Sequence, residues 1–145
     1  MSRVQLALNV TDLPAAIRFY GALFDAEPVK VRDGYANFAI ADPPLKLVLI
    51  EGEEGTAGGG LNHLGVEVSS TDEVATASAR LGAAGLQTDD RANETCCYAT
   101  QDKVWVSGPD NERWEVYTVL RDADRMHSDE APAATPSART VACCN

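Results

Sequence analysis

The amino-acid sequence predicts an α+β protein built from two βαβββ modules. Three observations carry that prediction. Apolar residues alternate along strand-length segments, a helix-start signature follows the first strand of each half, and the second half repeats the element order of the first. A chain of 145 residues with 45% hydrophobic content suffices for one packed domain and is too short for two of ordinary size. The modules, about 1–52 and 61–120, are therefore expected to share one domain over 1–120.

The first segment, VQLALNV (4–10), sets Val4, Leu6, Leu8 and Val10 on one face and Gln5, Ala7 and Asn9 on the other, as a half-buried strand does. TDLPAAIRFYGALF follows with Thr11 or Asp12 as a cap and Pro14 in the first turn. Leu13, Ile17, Tyr20 and Phe24 then recur at helical spacing. Three short strands are expected near Val29–Arg32, Tyr35–Ile40 and Leu45–Ile50. The stretch EGEEGTAGGG (51–60) is rich in glycine and charge, lacks apolar period, and reads as a hinge.

The order then starts again. NHLGVEV (62–68) is a strand, and the next segment opens on a Ser70-x-x-Glu73 capping box with Val74, Ala77 and Leu81 on one face. The last strands are expected near Leu86–Thr88, over Cys96–Thr100 with Val104–Ser107, and over Arg113–Val119. GPDNE (108–112) has the chemistry of a tight reversal. From about Arg121 the chain loses periodicity, gains Ala, Pro, Ser and charge, and is expected to be largely disordered through 145.

Aligning the opening strands sets Gln5 against His63, a displacement of 58; aligning the closing strands sets Val48 against Glu115, a displacement of 67. The second module is thus nine residues longer. The polar stretch TDDRANETCCY is the natural place for the surplus, which puts Cys96 and Cys97 in an insertion, with RANET read as a loop.

A formal charge of -10 opposes nucleic-acid binding, which depends on Lys and Arg neutralising phosphates. No apolar stretch approaches the roughly 20 residues a membrane helix needs, and the N-terminus lacks a signal-peptide pattern. A cytoplasmic protein acting on a small molecule is expected. The four cysteines form two adjacent pairs, Cys96-Cys97 and Cys143-Cys144, which a reducing compartment keeps as thiols.

Gln5, His63 and Glu115 each break an otherwise apolar strand on its polar side. An imidazole nitrogen, a carboxylate and an amide oxygen make a three-donor face for a borderline divalent metal, or else are ordinary polar residues on solvated faces. Glu67, Arg113 and Tyr117 share the face of these residues and either support them or form surface ion pairs. Trp105 and Trp114 read as core, and His127 as solvated. Thiolates suit softer centres, so the cysteine pair implies a second site. The alternatives are a buried cysteine with a chance neighbour, or a structural zinc site that recruits Cys143 and Cys144.

The paired strand-helix-three-strand order, with polar residues on one strand face, resembles the vicinal-oxygen-chelate (glyoxalase, bleomycin resistance and dioxygenase) superfamily over about residues 3–120. Within it, NETCCYA and SGPDNERWEVY resemble the ArsI carbon–arsenic lyases and the similar cadmium-induced CadI proteins. The resemblance implies a cupped mixed sheet with a divalent metal held by Gln5, His63 and Glu115; the glutamine departs from the usual histidine. It implies Fe(II) as cofactor, O2 as co-substrate, and a trivalent organoarsenical such as methylarsenite or an aromatic arsenical held by Cys96 and Cys97. It also implies a role in arsenic detoxification. A non-catalytic thiol protein binding cadmium or arsenic is the alternative, and glyoxalase-like or antibiotic-modifying chemistry ranks behind both. Family scaffolds occur as monomers and as dimers, so a homodimer stays open.

Overall fold

The computed structural model describes residues 2–52 and 60–127. Ten elements follow in the order β1 (Arg3–Val10), α1 (Leu13–Phe24), β2 (Lys30–Arg32), β3 (Tyr35–Ile40), β4 (Leu45–Glu51), β5 (Gly60–Glu67), α2 (Thr71–Ala83), β6 (Thr88–Cys96), β7 (Ala99–Ser107) and β8 (Arg113–Asp122). The two βαβββ modules are those read from the sequence. The expected disorder beyond His127, the pair Cys143-Cys144 and most of the hinge lie outside the described residues.

Helix starts fall where the caps predict. The Asp12 carboxylate accepts from the Ala15 N–H at 2.9 Å, with Pro14 in the first turn. Ser70 accepts from the Glu73 N–H at 3.3 Å, while Glu73 reaches back one residue further than a capping box does, to the Ser69 N–H at 2.7 Å.

All eight strands join one mixed sheet in the order β2-β3-β4-β1-β5-β8-β7-β6. Within each module the first strand runs parallel to the last, β1 to β4 and β5 to β8. The two modules meet where β1 pairs antiparallel with β5. This arrangement brings the first strand of each module and the last strand of the second side by side at the sheet centre. One sheet face is apolar and carries both helices. Leu6, Leu8, Phe38, Leu47 and Leu49 pack with Leu13, Ile17, Tyr20 and Phe24 of α1, and Val104 and Val116 pack with Val74, Ala77 and Leu81 of α2. The other face is the inside of the cup, where a smaller cluster gathers Ala7, Tyr35, Val48, Ile50, Cys96 and Trp105.

Three expectations are corrected. The polar stretch before the cysteines is strand rather than loop: β6 has nine residues where β2 has three, and β7 has nine where β3 has six. The whole nine-residue surplus lengthens that hairpin. The irregularity expected of RANET is confined to a bulge, where the β6–β7 register shifts between Arg91 and Glu94 and Asn93 takes a φ of 53°. The chain after Arg121 does not lose order at once. β8 runs to Asp122, and the following residues return to the cysteine turn, with the Cys97 N–H donating to the Met126 carbonyl at 2.9 Å and a bridge joining Cys96 to His127. Charge and small residues hid this strap because its pairing is made by backbone, which composition does not report.

Candidate metal and thiol site

Gln5, His63 and Glu115 come from β1, β5 and β8, the three adjacent central strands, and all are buried. Gln5 Nε2 lies 3.1 Å from His63 Nε2 and donates to Glu115 Oε1 at 2.9 Å. His63 Nε2 stands 3.4 Å from the same carboxylate oxygen. The structure therefore brings all three sequence-predicted residues to one point. Gly65 makes the approach possible: a Cβ there would meet Glu115 Cγ at 3.2 Å and Gln5 Cβ at 3.3 Å. Among the described residues no three His, Cys, Asp or Glu side chains cluster for a metal, so the site depends on the neutral amide as its third donor.

The imidazole is aimed by a feature the sequence does not signal. The β1–β5 register shifts beyond Ala7–His63, leaving Asn62 as an extra residue on β5. Asn62 Nδ2 donates to Asn9 Oδ1 at 2.8 Å, so its Oδ1 faces His63 Nδ1, also at 2.8 Å. The Nδ1 proton goes to that oxygen, and the Nε2 lone pair points at Gln5 and Glu115.

The cysteine pair sits at the tip of the long hairpin. Strand neighbours normally face opposite ways. Here Cys96 ends β6, and Cys97 and Tyr98 form a two-residue turn with φ of 56° and 58°. Both central residues in the left-handed region is the pattern of a type I′ hairpin, usually built from Asn and Gly. The turn swings Cys97 back, so that the two sulfurs stand 3.2 Å apart. Cys97 is a thiol but Cys96 is disulfide-bonded in this structure, which corrects the expectation that both are thiols. The Asn93 bulge sets which face they occupy. Before it Arg91 pairs with Lys103, and after it Cys96 pairs with Ala99, a one-residue slip that turns Glu94 and Cys96 into the cup.

The turn is held from both modules. Lys30 on β2 donates to the Tyr98 carbonyl at 3.1 Å and to Asp122 at 2.6 Å, and the Tyr98 hydroxyl donates to the Asp33 carbonyl at 3.3 Å. Cys97, Tyr98 and Met126 pack on the cluster that includes Cys96 and Trp105, and Trp105 meets His63 edge to face with centroids 5.3 Å apart. Trp105, read from sequence as core, is the wall shared by the thiols and the imidazole.

A sequence profile of the Glyoxalase/Bleomycin resistance protein/Dioxygenase superfamily matches residues 3–116. The chain belongs to this superfamily. The cadmium-induced protein CadI of Mycobacterium tuberculosis is 61% identical across all of this chain and 94% of its own length. A trivalent organoarsenical cleaving enzyme of Thermomonospora curvata is 57% identical over 94% of this chain and 90% of its own. Among solved structures, a Mn(II)-bound glyoxalase from Novosphingobium aromaticivorans superposes with a TM-score of 0.60 at 19% identity, covering 91% of this chain and 44% of that one. That likeness shows the superfamily fold.

The three donors fit a divalent ion on geometry. For metal–ligand bonds of about 2.1 Å meeting at right angles, adjacent donors stand about 3.0 Å apart. The observed sides of 2.9, 3.1 and 3.4 Å match one face of such an octahedron. The amide oxygen reaches the same point as the nitrogen by a half-turn of the amide.

Lys103, which the sequence reading passed over, supplies the charge balance. Its Nζ is fully buried and donates to Glu115 Oε2 at 2.8 Å, with Glu94 Oε2 3.8 Å away. Burial opposes ionisation of Glu115, yet the Lys103 ammonium beside it holds its pKa down at about 2. Burial likewise opposes the Lys103 charge, but Glu115, followed by Cys97 and Glu94, holds its pKa above the usual value. Lys103 occupies one carboxylate oxygen and leaves the other to the three-donor face. A signal existed in the sequence: Gln101, Lys103 and Trp105 share one strand face with mixed polarity, as the ligand strands do.

The supporting residues divide. Tyr117 and Glu67 join a network with Gln5. Arg113 stacks on the Trp105 ring at 4.0 Å from its centroid.

Proposed function

We propose that this protein is an iron(II)- and dioxygen-dependent enzyme that breaks the carbon–arsenic bond of trivalent organoarsenicals and releases arsenite, in arsenic detoxification. The observation that carries this reading is the pairing of two cysteine sulfurs, 3.2 Å apart, with a three-donor face in the same cup, the two linked through Trp105. Relatives named as trivalent organoarsenical cleaving enzymes support it.

With the Cys96 disulfide first reduced by a cellular dithiol reductant, Cys96 and Cys97 as thiols would each give a proton to one hydroxyl of R–As(OH)2. Two waters leave, two As–S bonds form, and no redox change occurs. Sulfurs 3.2 Å apart are close enough for one arsenic to bridge. Lys46 and Lys103 lie within electrostatic reach of Cys97. The organic group would then face the apolar cluster of Ala7, Tyr35, Val48, Ile50 and Trp105, which would keep water away and fix its orientation. Gln5, His63 and Glu115 would hold the metal, and Lys103 would keep Glu115 ionised. Bound iron(II) supplies the one-electron chemistry that lets ground-state dioxygen attack a closed-shell substrate. For methylarsenite the balance closes as CH3As(OH)2 with O2 giving formaldehyde and As(OH)3.

The identity to CadI favours one other reading, a thiol protein that sequesters cadmium or arsenic without turnover. Replacing His63 by alanine separates the two. As an enzyme the variant is expected to lose arsenite release by at least about 100-fold while its affinity for phenylarsine oxide stays within about 2-fold. Protection of arsenical-exposed cells that survives intact in the variant sinks the enzymatic reading in favour of sequestration.

A further inference from the structure

The Gln5 amide lies the wrong way round for a metal. Its nitrogen faces His63 and Glu115, and its oxygen accepts from the Tyr117 hydroxyl at 2.5 Å. A divalent ion is held by the amide oxygen, so the amide must turn, and its N–H then meets the Tyr117 oxygen. Tyr117 is fully buried, so no solvent is at hand to take its displaced hydrogen. Glu67 Oε2 is at hand, 3.4 Å from the hydroxyl, and it is anchored by Arg3 Nε at 2.8 Å and Lys46 Nζ at 3.9 Å.

We propose that Tyr117, with Glu67 as its reserve acceptor, is a positioning residue that lets the Gln5 amide present nitrogen without a metal and oxygen with one. A phenol is suited to this role because the same oxygen donates in one state and accepts in the other; a lysine or arginine has no acceptor, and a phenylalanine neither. The relay explains how a neutral glutamine serves where an amide has two opposite ends to choose between. In the metal-free state the nitrogen satisfies the Glu115 carboxylate, and in the metal-bound state Glu67 satisfies Tyr117, so neither state leaves a buried polar atom unpaired.

The inference rests on the reading of this site as a metal centre, and its test separates the two. Metal-free wild type, Tyr117→Phe and Glu67→Met are titrated anaerobically with Fe(II), and with Co(II) followed by visible absorption. Both substitutions are expected to weaken binding about 10-fold or more. The same Tyr117→Phe change is then made in a Gln5→His background, where an imidazole needs no choice between oxygen and nitrogen; there it should cost no more than about 2-fold. Equal losses in both backgrounds, or a loss under about 2-fold with Gln5 present, overturn the relay. Wild type that binds neither ion overturns the metal centre itself. Should Tyr117→Phe fail to fold, Glu67→Met in the two backgrounds decides by the same comparison.

Discussion

Replacing Lys103 by methionine is expected to cost about 3–5 kcal/mol of folding stability in metal-free protein at neutral pH. Methionine matches the aliphatic stem, so little packing is lost. What remains is the Glu115 carboxylate, buried and deprived of the cation 2.8 Å from its Oε2. The sign with pH follows from linkage. In the wild type the Glu115 pKa is depressed to about 2, so its contribution to stability is present above the unfolded carboxylate range and lost only as pH falls towards 2. Without Lys103, burial dominates and pushes that pKa up instead. The variant then binds its proton more readily folded than unfolded, and the deficit shrinks as pH is lowered from 7 towards 5. Urea unfolding in chelator at both pH values checks this. A divalent ion should restore part of the loss, because it replaces the missing positive charge beside Glu115. A deficit that is small and independent of pH would mean that Lys103 is not the balancing charge.

The second large effect falls on the dithiol. Changing either Cys96 or Cys97 to serine is expected to weaken binding of phenylarsine oxide by at least about 100-fold, since a single thiol forfeits the ring closure that two provide. Changing both should abolish arsenical binding without lowering affinity for Fe(II), because the thiols and the three-donor face are separate sites. Binding measured with a labelled arsenical, alongside the metal titration, reads both. If loss of the cysteines instead removes the divalent metal, the two sites are one.

Much of this arrangement was legible in the sequence because it follows from period and repetition. The helix caps at Asp12 and Ser70, the alternation of β1 and β5, and the equivalence of Gln5 with His63 are local or periodic signals, and each led to the right face of the right strand. The pieces that stayed hidden depend on single extra residues. Asn62 and Asn93 look like ordinary strand or loop residues, yet each shifts a register by one; one brings the amide that aims His63, and the other turns Cys96 into the cup. The turn at Cys97-Tyr98 carries none of the Gly or Asn chemistry that marks a type I′ hairpin, so the stretch read as a loop ending in a strand. Its unfavourable left-handed backbone is held by Lys30, the Tyr98 hydroxyl and the strap through Met126, all contacts remote in sequence.

The fold joins these parts. The nine-residue surplus of the second module makes a hairpin long enough to bring Cys96 into the buried cluster beside Trp105, while the central strands hold the three donors. The strap through Met126 and His127 lies against the cysteine turn.

One cup is expected both to hold the arsenical and to cleave it. Protein loaded with iron(II) under anaerobic conditions, given methylarsenite and then air, tests this most directly by speciation of the soluble arsenic over time. Arsenite is expected to accumulate in excess over protein, with one formaldehyde for each arsenite and no release when iron or air is withheld. Methylarsenite recovered intact from the protein, in amounts no greater than the thiol pairs present, would contradict it.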